Sequence, residues 1–459
     1  MLGVARPSAT GPGVNVLAGN LVPDGMRPFA ACYGGHQFGS WAGQLGDGRA
    51  MGLGDVEGPA GRFEVQLKGA GPTAYSRRAD GRAVLRSSIR EFICSEAMFH
   101  LGVPTTRALA LVATGEPVVR DMFYDGNARE EPGAIVTRVA PTFVRFGNFE
   151  LPASRREVPL LKALADHVIA EHFAELGEPG PDTYVAWFAE VSRRTAVMIA
   201  HWMALGFVHG VMNTDNLSVL GLTIDYGPYG WLDAFNPDFT PNTTDSREGR
   251  YRWRAQPSVA HWNLSRLASS LVSLVGDPAP LNAVLDQYPV WYAAAWRARL
   301  SDKVGIDLGD HDDDLITELF TLLASVETDW SIFFRSLAEV PRDGDRFGAL
   351  AEAFYSPPSE ELRRRWSAWL AAWSVRTGGV DIEARRRRMN AANPWILPRN
   401  WVVQEVIDRA EAGDASGIEA LLDVLRRPYD AQPAHVRIAG RRPEWARNKA
   451  GCSALSCSS

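Results

Sequence analysis

Cysteine is scarce in this chain of 459 residues, which contains only Cys32, Cys94, Cys452 and Cys457. No two of them form a C-x-x-C pair, so the sequence predicts neither a disulfide framework nor a zinc site of that type. No apolar run reaches the ~18 residues that a transmembrane helix needs. The first residues also lack the basic start and long apolar block of a secretory signal. These absences predict a protein of the reducing cytoplasm that does not cross a membrane.

Positive charge is not in excess either. Lysine and arginine number 48 against 54 aspartates and glutamates, a formal net charge of −6, and no basic stripe with interleaved aromatic residues occurs. The sequence therefore predicts no nucleic-acid partner. Its hydrophobic share of 46% and charged share of 22% are those of a globular protein, and its length suits two or three packed units.

The chain also lacks the phosphate-binding pattern G-x-x-x-x-G-K-[ST]. It has instead the glycine-rich stretch GQLGDGRAMGLGD, with Gly46, Gly48, Gly52 and Gly54. Glycines let backbone N–H groups approach phosphate oxygens closely. An ordinary hairpin explains the same residues, so this stretch alone leaves both interpretations open.

Periodicity divides the chain into a β-rich part and a helical part. The stretch RFEVQLKGAG alternates apolar and polar residues and predicts a half-buried strand, whereas residues 83–102 predict a helix, 108–121 a hairpin and 133–141 a strand. From about residue 150 the pattern is helical. We therefore predict an α+β, bilobal fold in three parts: a β-rich N-lobe over 1–145, a larger helical C-lobe over 146–400, and a C-terminal helical hairpin with a Cys-Ser-Ser tail over 401–459.

The stretch HGVMNTDNLSVLGLTIDYGP, residues 209–228, has the spacing of a protein-kinase catalytic loop. Kinases use H-R-D-x-x-x-x-N and then D-F-G, which supply an Asp base, a metal-binding Asn and a metal-binding Asp. Here Asn216 follows His209 by seven residues, and Asp225 begins a D-Y-G triplet. Val211 stands where the kinase base belongs, and valine cannot accept a proton. The sequence thus predicts the metal ligands of a kinase without its base.

Asn216 and Asp225 offer the hard oxygen ligands that Mg²⁺ or Mn²⁺ prefers. A plain turn role explains Asn216 equally well. Asp225 follows the apolar residues LTI at a predicted strand end, where a carboxylate is costly unless it is paired or metal-bound. We therefore favour a functional role for Asp225.

Lys68 lies on the predicted strand, and Glu91 lies in the helix that follows it. In kinases a strand lysine paired with a helix glutamate holds the α- and β-phosphates. A solvated lysine and an exposed helix residue are the simpler explanations of each one alone. The ordered set of glycine loop, Lys68, Glu91, Asn216 and Asp225 is what predicts a phosphate site.

Two arginines complete the candidate set. Arg138 and Arg145 are seven residues apart in TRVAPTFVRFGNFE. The planar guanidinium suits bidentate contacts with phosphate. An ordinary surface salt bridge is the simpler explanation of this pair.

Five segments together resemble one family, selenoprotein O, the kinase-like protein adenylyltransferases. They span residues 33–459 and are YGGHQFGSWAGQLGDGRA, QLKGAGPTAYSRRADGRAVLRSSIREF, VTRVAPTFVRFGNFE, GFVHGVMNTDNLSVLGLTIDYGPYGWLD and the terminal CSS. The resemblance implies a protein-kinase-like fold that binds ATP flipped relative to kinases. It also implies transfer of AMP from ATP, or in some members UMP from UTP, to Ser, Thr or Tyr hydroxyls of protein substrates.

By matching motifs, the resemblance implies a role for each candidate. Asp215 would be the base, Asn216 and Asp225 would bind Mg²⁺ or Mn²⁺, and Glu91 would orient the lysine. A flipped nucleotide presents its α-phosphorus to the acceptor, so a base displaced from the kinase position is compatible with it. Without the resemblance, Asp215 is explained as an Asx-turn residue. The nucleotide contacts would be Gly46, Gly48, Arg49, Lys68, Asp80, Gly81, Arg138 and Arg145.

Two features depart from the family pattern. Family members usually carry more chain before YGGHQFG, which implies either a misassigned start or lost packing against the N-lobe. The segment NPDFTPNTTD has no cysteine where some members have one that pairs with the terminal Cys or selenocysteine. Cys457 therefore lacks that partner, and Cys452 is a conceivable substitute.

Three functions stay open at this point. The favoured one is a cytoplasmic, monomeric protein nucleotidyltransferase that uses ATP or UTP. An ordinary protein kinase with Asp215 as a compensating base is the second, and a catalytically inactive pseudokinase scaffold, suggested by Val211, is the third. Labelled ATP separates them. Transfer of label from the α-phosphate alone supports the nucleotidyltransferase, transfer from the γ-phosphate supports the kinase, and no transfer supports the pseudokinase.

Overall fold

The N-terminal part of the chain is built on a β-sheet. The computed structural model describes residues 2–3, 7–8 and 11–456, so Cys457 lies outside the described residues. A short helix and a hairpin come first: α1 (Pro12–Leu17), β1 (Gly34–Gln37) and β2 (Ser40–Gln44). The main sheet and its helix follow: β3 (Ala50–Gly58), β4 (Gly61–Lys68), β5 (Ala83–Val84), α2 (Leu85–His100), β6 (Arg107–Arg120) and β7 (Arg129–Ala140).

Strand β7 organises this five-stranded antiparallel sheet, because β4, β5 and β6 all pair with it. Its register places Arg138 opposite Gln66 and Val136 opposite Lys68. The sheet therefore brings Lys68 and Arg138, which are far apart in the sequence, within two residue positions of each other on neighbouring strands.

Two local predictions for this sheet are wrong. Residues 108–121 form no hairpin, because both halves lie in the single strand β6 and the register shift between Ala113 and Pro117 absorbs the turn-like residues. The strand β4 is not half-buried at its end, because Gln66 and Lys68 are buried together with Val65 and Leu67. The polar face of β4 is covered by a network of ion pairs rather than by water.

The rest of the chain is mostly helical, with two short strands, β8 (Phe207–Val208) and β9 (Gly230–Trp231), that pair with each other. The first helices are α3 (Phe146–Ser154), α4 (Val158–His172), α5 (Pro181–Leu205), α6 (Gln256–Val275), α7 (Pro278–Val304), α8 (Asp313–Ser325) and α9 (Trp330–Ala338). The last are α10 (Glu360–Thr377), α11 (Ile382–Ala392), α12 (Asn400–Glu411), α13 (Ser416–Leu425) and α14 (Val436–Ala439).

Helix α5 positions the loop that carries the kinase-like motif. It packs against α6 and α7, and its buried face includes Trp187 and Trp202. It ends at Gly206, whose φ of 77° is the left-handed conformation that commonly terminates a helix. A side chain at Gly206 would also meet the ring of Trp330. The chain therefore leaves α5 at a defined point and enters β8 and the motif directly.

The α+β class, with a β-rich N-terminal part and a helical remainder, is as predicted. The sheet ends at Ala140, α3 begins at Phe146 and α12 begins at Asn400. The division into three parts stays a prediction. Among the described helices none is long and apolar enough to cross a membrane.

The C-terminal hairpin of α12 and α13 packs on α2, the helix that carries Glu91. One buried apolar cluster contains Ile89 and Ile93 of α2 together with Trp401 and Val403 of α12 and Leu421 of α13. Burial of such side chains favours a single position of the two elements. The hairpin therefore braces α2 against the sheet.

We expect Trp401→Ala to lower the free energy of unfolding by ~3–5 kcal/mol, because it empties a site in which the indole is only 2% exposed. Urea unfolding followed by circular dichroism measures the loss. Trp445→Ala is the control: this indole lies in the same C-terminal part but is 46% exposed, so its removal should cost far less. Similar losses in both variants would contradict the bracing role.

Candidate active site

The candidate site is a cavity of about 1010 Å³, a size that suits a nucleotide. It is enclosed by the β1–β2 hairpin, by the main sheet and by the segment that connects β8 to β9. Glu91 and Arg145 are the two sequence-predicted residues that do not line it. Glu91 lies behind Lys68, and Arg145 lies behind Asp225. The others do line it: Gly46, Gly48, Arg49, Lys68, Asp80, Gly81, Arg138, Asp215, Asn216 and Asp225.

Asp225 is the centre of the site, because three cationic side chains converge on its carboxylate. Arg138 Nη1 lies 2.6 Å and Lys68 Nζ 3.2 Å from Oδ1. Arg145 Nη1 lies 2.7 Å from Oδ2. Glu91 completes the cluster, at 2.8 Å from Lys68 and 3.2 Å from Arg138. The structure therefore joins into one network four residues that the sequence suggested as separate candidates, together with Glu91.

This network sets the charge of the site. Burial opposes ionisation of Asp225, but Arg145, Lys68 and Arg138 hold its pKa well below the usual range. Burial lowers the pKa of Lys68, and Glu91 and Asp225 oppose that shift. The three cations are matched by three carboxylates, Asp225, Glu91 and Asp47, the last 3.9 Å from Arg145, and cations gathered in this way are what a phosphate site requires.

The backbone at Asp225 is held in a conformation that few residues adopt. Its φ is 56°, in the left-handed region, and its carbonyl accepts a hydrogen bond from Gly227 N at 2.8 Å. His209 Nε2 lies 2.8 Å from the carbonyl oxygen of the preceding residue, Ile224. Such strain persists only where neighbouring contacts enforce it, and it is common at functional sites. Here it turns the Asp225 side chain towards the cations.

Asn216 lies in the 3₁₀ turn Thr214–Asn216, beside Asp225 in the same cavity. Its Nδ2 donates to the backbone oxygen of Val211 at 3.0 Å, which leaves its side-chain carbonyl for a cation. Among the described residues no group of three or more His, Cys, Asp or Glu could hold a metal by itself. Two oxygen ligands fit Mg²⁺, which usually takes one or two protein ligands beside waters and phosphate oxygens.

Asp215 lies in the same turn and reaches the cavity from the side of the β1–β2 hairpin. Gln37 Nε2 donates to its Oδ2 at 3.2 Å, while Oδ1 is buried without a hydrogen-bond partner. Burial raises the pKa of Asp215 to about 6. A carboxyl with that pKa is a proton acceptor near neutral pH. A side chain on Gly35 would lie 2.8 Å from Oδ1, so glycine is needed there to admit Asp215.

The glycine loop closes one wall of the cavity in a way that the sequence did not show. The position of a side chain on Gly46 is taken by the ring of Tyr75, and that on Gly48 by the backbone of Tyr75 and Ser76. Thr73 Oγ1 donates to the oxygen of Asp47 at 2.6 Å, and Ser76 donates to Gly48. These glycines therefore also serve to seat the segment that leads to Asp80.

Asp80 and Gly81 lie at the rim of the cavity. Arg120 Nη2 pairs with Asp80 Oδ1 at 2.7 Å, and this contact is the main cause of the lowered pKa of Asp80. Gly81 has a φ of 67°, and a side chain on it would collide with Gly71. The rim is thus a rigid turn with a charged pair on it.

Gln37, Asp47 and Gln66 also belong to the site, although no sequence motif predicted them. Asp47 accepts from Gln66 Nε2 at 3.0 Å and from Tyr33 OH at 3.1 Å, and Gln66 accepts from Arg138. One signal was present for Gln66, because it lies two residues before Lys68 on the same face of β4. No local pattern marks Gln37, whose contact with Asp215 spans 178 positions of the chain.

The described cysteines Cys32, Cys94 and Cys452 are free. Burial raises the pKa of Cys452 to about 11, which disfavours the reactive thiolate. The tail does reach the segment NPDFTPNTTD, because Leu455 N donates to Pro241 O and Thr243 N donates to Leu455 O. The contact that the structure shows there is made by these backbone hydrogen bonds and by one from Thr243 Oγ1 to Leu455 O at 3.0 Å. A redox role for Cys457 lies outside the described residues.

A β-rich lobe with a Lys–Glu pair, set against helices that carry an Asn and a D-x-G aspartate, defines a kinase-like, nucleotide-dependent transferase. The chain belongs to the family of the protein adenylyltransferase SelO, whose model matches residues 10–426. It is a protein nucleotidyltransferase, and the resemblance seen in the sequence is confirmed.

Relatives in several bacteria are similar over nearly the whole chain. The protein nucleotidyltransferase YdiU of Xanthomonas campestris pv. campestris (strain B100) is 56% identical over 449 residues, which cover 97% of this chain and 87% of the relative. YdiU of Aromatoleum aromaticum is 56% identical over 453 residues, with the same coverage. YdiU of Nitrosospira multiformis is 53% identical over 494 residues, covering 100% of this chain and 87% of the relative.

Proposed function

We propose that this protein transfers AMP from ATP, or UMP from UTP, to a Ser, Thr or Tyr hydroxyl of a protein, with Asp215 as the base. One observation carries the proposal. The carboxyl that a kinase places two residues after its loop histidine is replaced by Val211, while a buried carboxyl with an unpartnered oxygen, that of Asp215, lines the same cavity as Asp225. The free thiols support a reducing compartment, the cytoplasm, and a monomer stays our expectation.

The chemistry follows from the position of the cations. Lys68 and Arg138 would hold the β- and γ-phosphates, deep in the cavity, so the α-phosphorus would face the acceptor. The acceptor oxygen bonds to the α-phosphorus, the bond from that phosphorus to the bridging oxygen breaks, and pyrophosphate leaves. The hydroxyl proton passes to Asp215. Protein dipoles and charges that are already in place lower the barrier of such a step.

The metal would be held by Asn216 and Asp225. A divalent cation bound there supplies charge stabilisation to the phosphate oxygens. The three cations that now contact the Asp225 carboxylate are compatible with this role, because phosphate oxygens can replace the carboxylate as their partner when a nucleotide enters.

Labelled ATP tests the proposal. Incubation with a protein acceptor and ATP labelled at the α-phosphate should leave label on protein and release pyrophosphate, whereas γ-labelled ATP should leave none. Label from γ alone would return the kinase interpretation with Asp215 as a compensating base. No transfer from either nucleotide would favour the pseudokinase scaffold.

We expect ATP to bind at least about tenfold more tightly than ADP, because a buried γ-phosphate gains charge-assisted contacts with Lys68 and Arg138, while Arg145 adds its charge from behind Asp225. Arg138→Ala should remove most of this preference, and Arg145→Ala should remove a smaller part of it. Arg138 should have the larger effect, since it lines the cavity and Arg145 lies behind Asp225. Calorimetric titration with metal present measures both affinities.

Arg107→Ala is the matched control, because this arginine pairs with Glu96 at 2.7 Å and does not line the cavity. It should keep the preference for ATP. Equal affinities of wild type for ATP and ADP, or an unchanged preference in the Arg138 and Arg145 variants, would contradict the flipped nucleotide.

A further inference from the structure

Two arginines, Arg250 and Arg266, lie around Trp262 at the surface. Arg250 and Arg266 are half-buried, and neither forms an ion pair with an acidic side chain of the described residues, whereas Arg252 and Arg254 nearby both pair with Asp238. Arg266 donates only to the neighbouring Ser265 hydroxyl, at 3.1 Å from Nη2. Unpaired guanidinium groups at a surface are the usual receptors for carboxylates.

The tip of the β1–β2 hairpin connects these arginines to the base. Gly35 and Gln37 contact Asp215 at one end. At the tip, a side chain on Gly39 would lie 3.2 Å from the guanidinium carbon of Arg250. The four residues from Gly35 to Gly39 span at most ~14 Å. Because Gly35 lies against Asp215 and Gly39 lies against Arg250, these two side chains are separated by a distance of about that length.

A second connection passes through Tyr251. Its hydroxyl donates to Asn213 Oδ1 at 2.6 Å and accepts from Phe38 N at 2.9 Å. Asn213 lies two residues before Asp215, and both Phe38 and Asn213 line the cavity. The segment that carries Arg250 is therefore attached to the rim of the cavity where an acceptor must enter.

Trp262 holds the two arginines in place. The guanidinium carbon of Arg250 lies 4.7 Å and that of Arg266 5.2 Å from the centre of this indole. The ring of His36 meets the indole edge-on at 5.4 Å, and His36 Nδ1 lies 2.6 Å from Glu150 Oε2. Burial raises the pKa of Glu150, and the nearby Arg266 only opposes that shift; Glu150 already has His36 as a partner. The two guanidinium groups thus stay without an ion-pair partner among the described residues.

We propose that Arg250 and Arg266, held against Trp262, bind an acidic side chain of the protein substrate within a few residues of the acceptor hydroxyl. The inference rests on the proposed function, since it places the acceptor next to Asp215. An extended peptide advances about 3.3 Å per residue, so a carboxylate up to about four residues from the acceptor reaches the arginines. The subsite would make the enzyme prefer acceptor hydroxyls that have an Asp or Glu nearby in the substrate sequence.

Synthetic peptides test the preference directly. Each peptide carries one Ser, Thr or Tyr, with Glu, Gln or Lys placed in turn at every position up to about four residues on either side. We expect kcat/KM for AMP transfer by wild type to be about three- to tenfold higher with Glu than with Gln at one or two positions, and lower still with Lys. The range is modest because a half-exposed ion pair is screened by water.

Variants assign the preference to these arginines. In Arg250→Gln/Arg266→Gln the Glu and Gln peptides should become equal, while the rate with the Gln peptide and the affinity for ATP stay as in wild type. Arg250→Glu should favour the Lys peptide instead. Arg254→Gln is the control, because this arginine is exposed and already paired with Asp238, and it should keep the wild-type preference. Thermal unfolding of each variant checks that it is folded.

The outcomes separate the two proposals. No label on any peptide, and none on a protein acceptor, would overturn the proposed function. Transfer that is equal for Glu and Lys peptides, or a preference that survives in the double variant, would overturn the subsite alone. A loss of ATP affinity in the double variant would also overturn it, because the arginines would then belong to the nucleotide site.

Discussion

Asp225→Asn should lower the rate of AMP transfer by ~100-fold or more at saturating nucleotide and metal. The substitution keeps the size of the side chain but removes the charge that would bind the metal. Loss of a charge that stabilises the transition state typically lowers the rate by ~100-fold or more. The measurement is label transfer from α-labelled ATP across a range of Mg²⁺ and Mn²⁺ concentrations.

The same variant should be less stable without nucleotide, because Lys68, Arg138 and Arg145 lose the carboxylate that they share. Removal of one member of a buried ion pair costs ~3–5 kcal/mol, and bound ATP should restore part of it by supplying phosphate oxygens. Asp238→Asn, which removes a surface carboxylate paired with Arg252 and Arg254, should change neither property. Near-normal turnover of Asp225→Asn would refute its role as a metal ligand.

Lys68→Met should abolish detectable nucleotide binding, which means an increase in Kd of ~100-fold or more, because the methionine cannot form a charge-assisted contact with phosphate. Glu91→Ala should lose only part of the affinity. The reason is visible in the structure: Lys68 Nζ contacts both Glu91 at 2.8 Å and Asp225 at 3.2 Å, so one partner remains. Calorimetric titration of ATP into each variant distinguishes the two effects.

Glu96→Ala is the matched control for Glu91→Ala. Glu96 lies in the same helix and pairs with Arg107 at 2.7 Å, outside the cavity. It should leave ATP affinity unchanged. If Glu91→Ala binds and transfers like wild type, the pairing has no functional role.

Local sequence patterns predicted some residues of the candidate site and missed others. Lys68 was predicted from an alternating strand, Glu91 from a helix, and Asn216 and Asp225 from their spacing after His209. Each of these signals lies within a few residues of chain. The pairing of Arg138 with Gln66 depends on the register of β4 against β7, and the contact of Gln37 with Asp215 joins residues 178 positions apart. Neither could be predicted from spacing.

The same holds for the fold: local patterns predicted its helices but not how they pack. The helical period marks α2, α5 and the C-terminal hairpin, because the period reflects which face of a helix is buried. It does not show against what that face is buried. Residues 108–121 were predicted as a hairpin, yet pairing of both halves with β7 keeps them in one strand.

By itself, then, the sequence determined the class of fold, the family and the chemical types in the cavity, because side-chain periodicity and short motifs depend on neighbouring residues. Only the tertiary structure decided that Asp225 is shared by three cations, that Arg145 lies behind it, and that Arg250 and Arg266 lie around Trp262 without an acidic partner among the described residues. The first two of these relations join residues that are scores of positions apart. The energies of these charge interactions depend on burial and on the distances between the charges, and only the packed chain defines both.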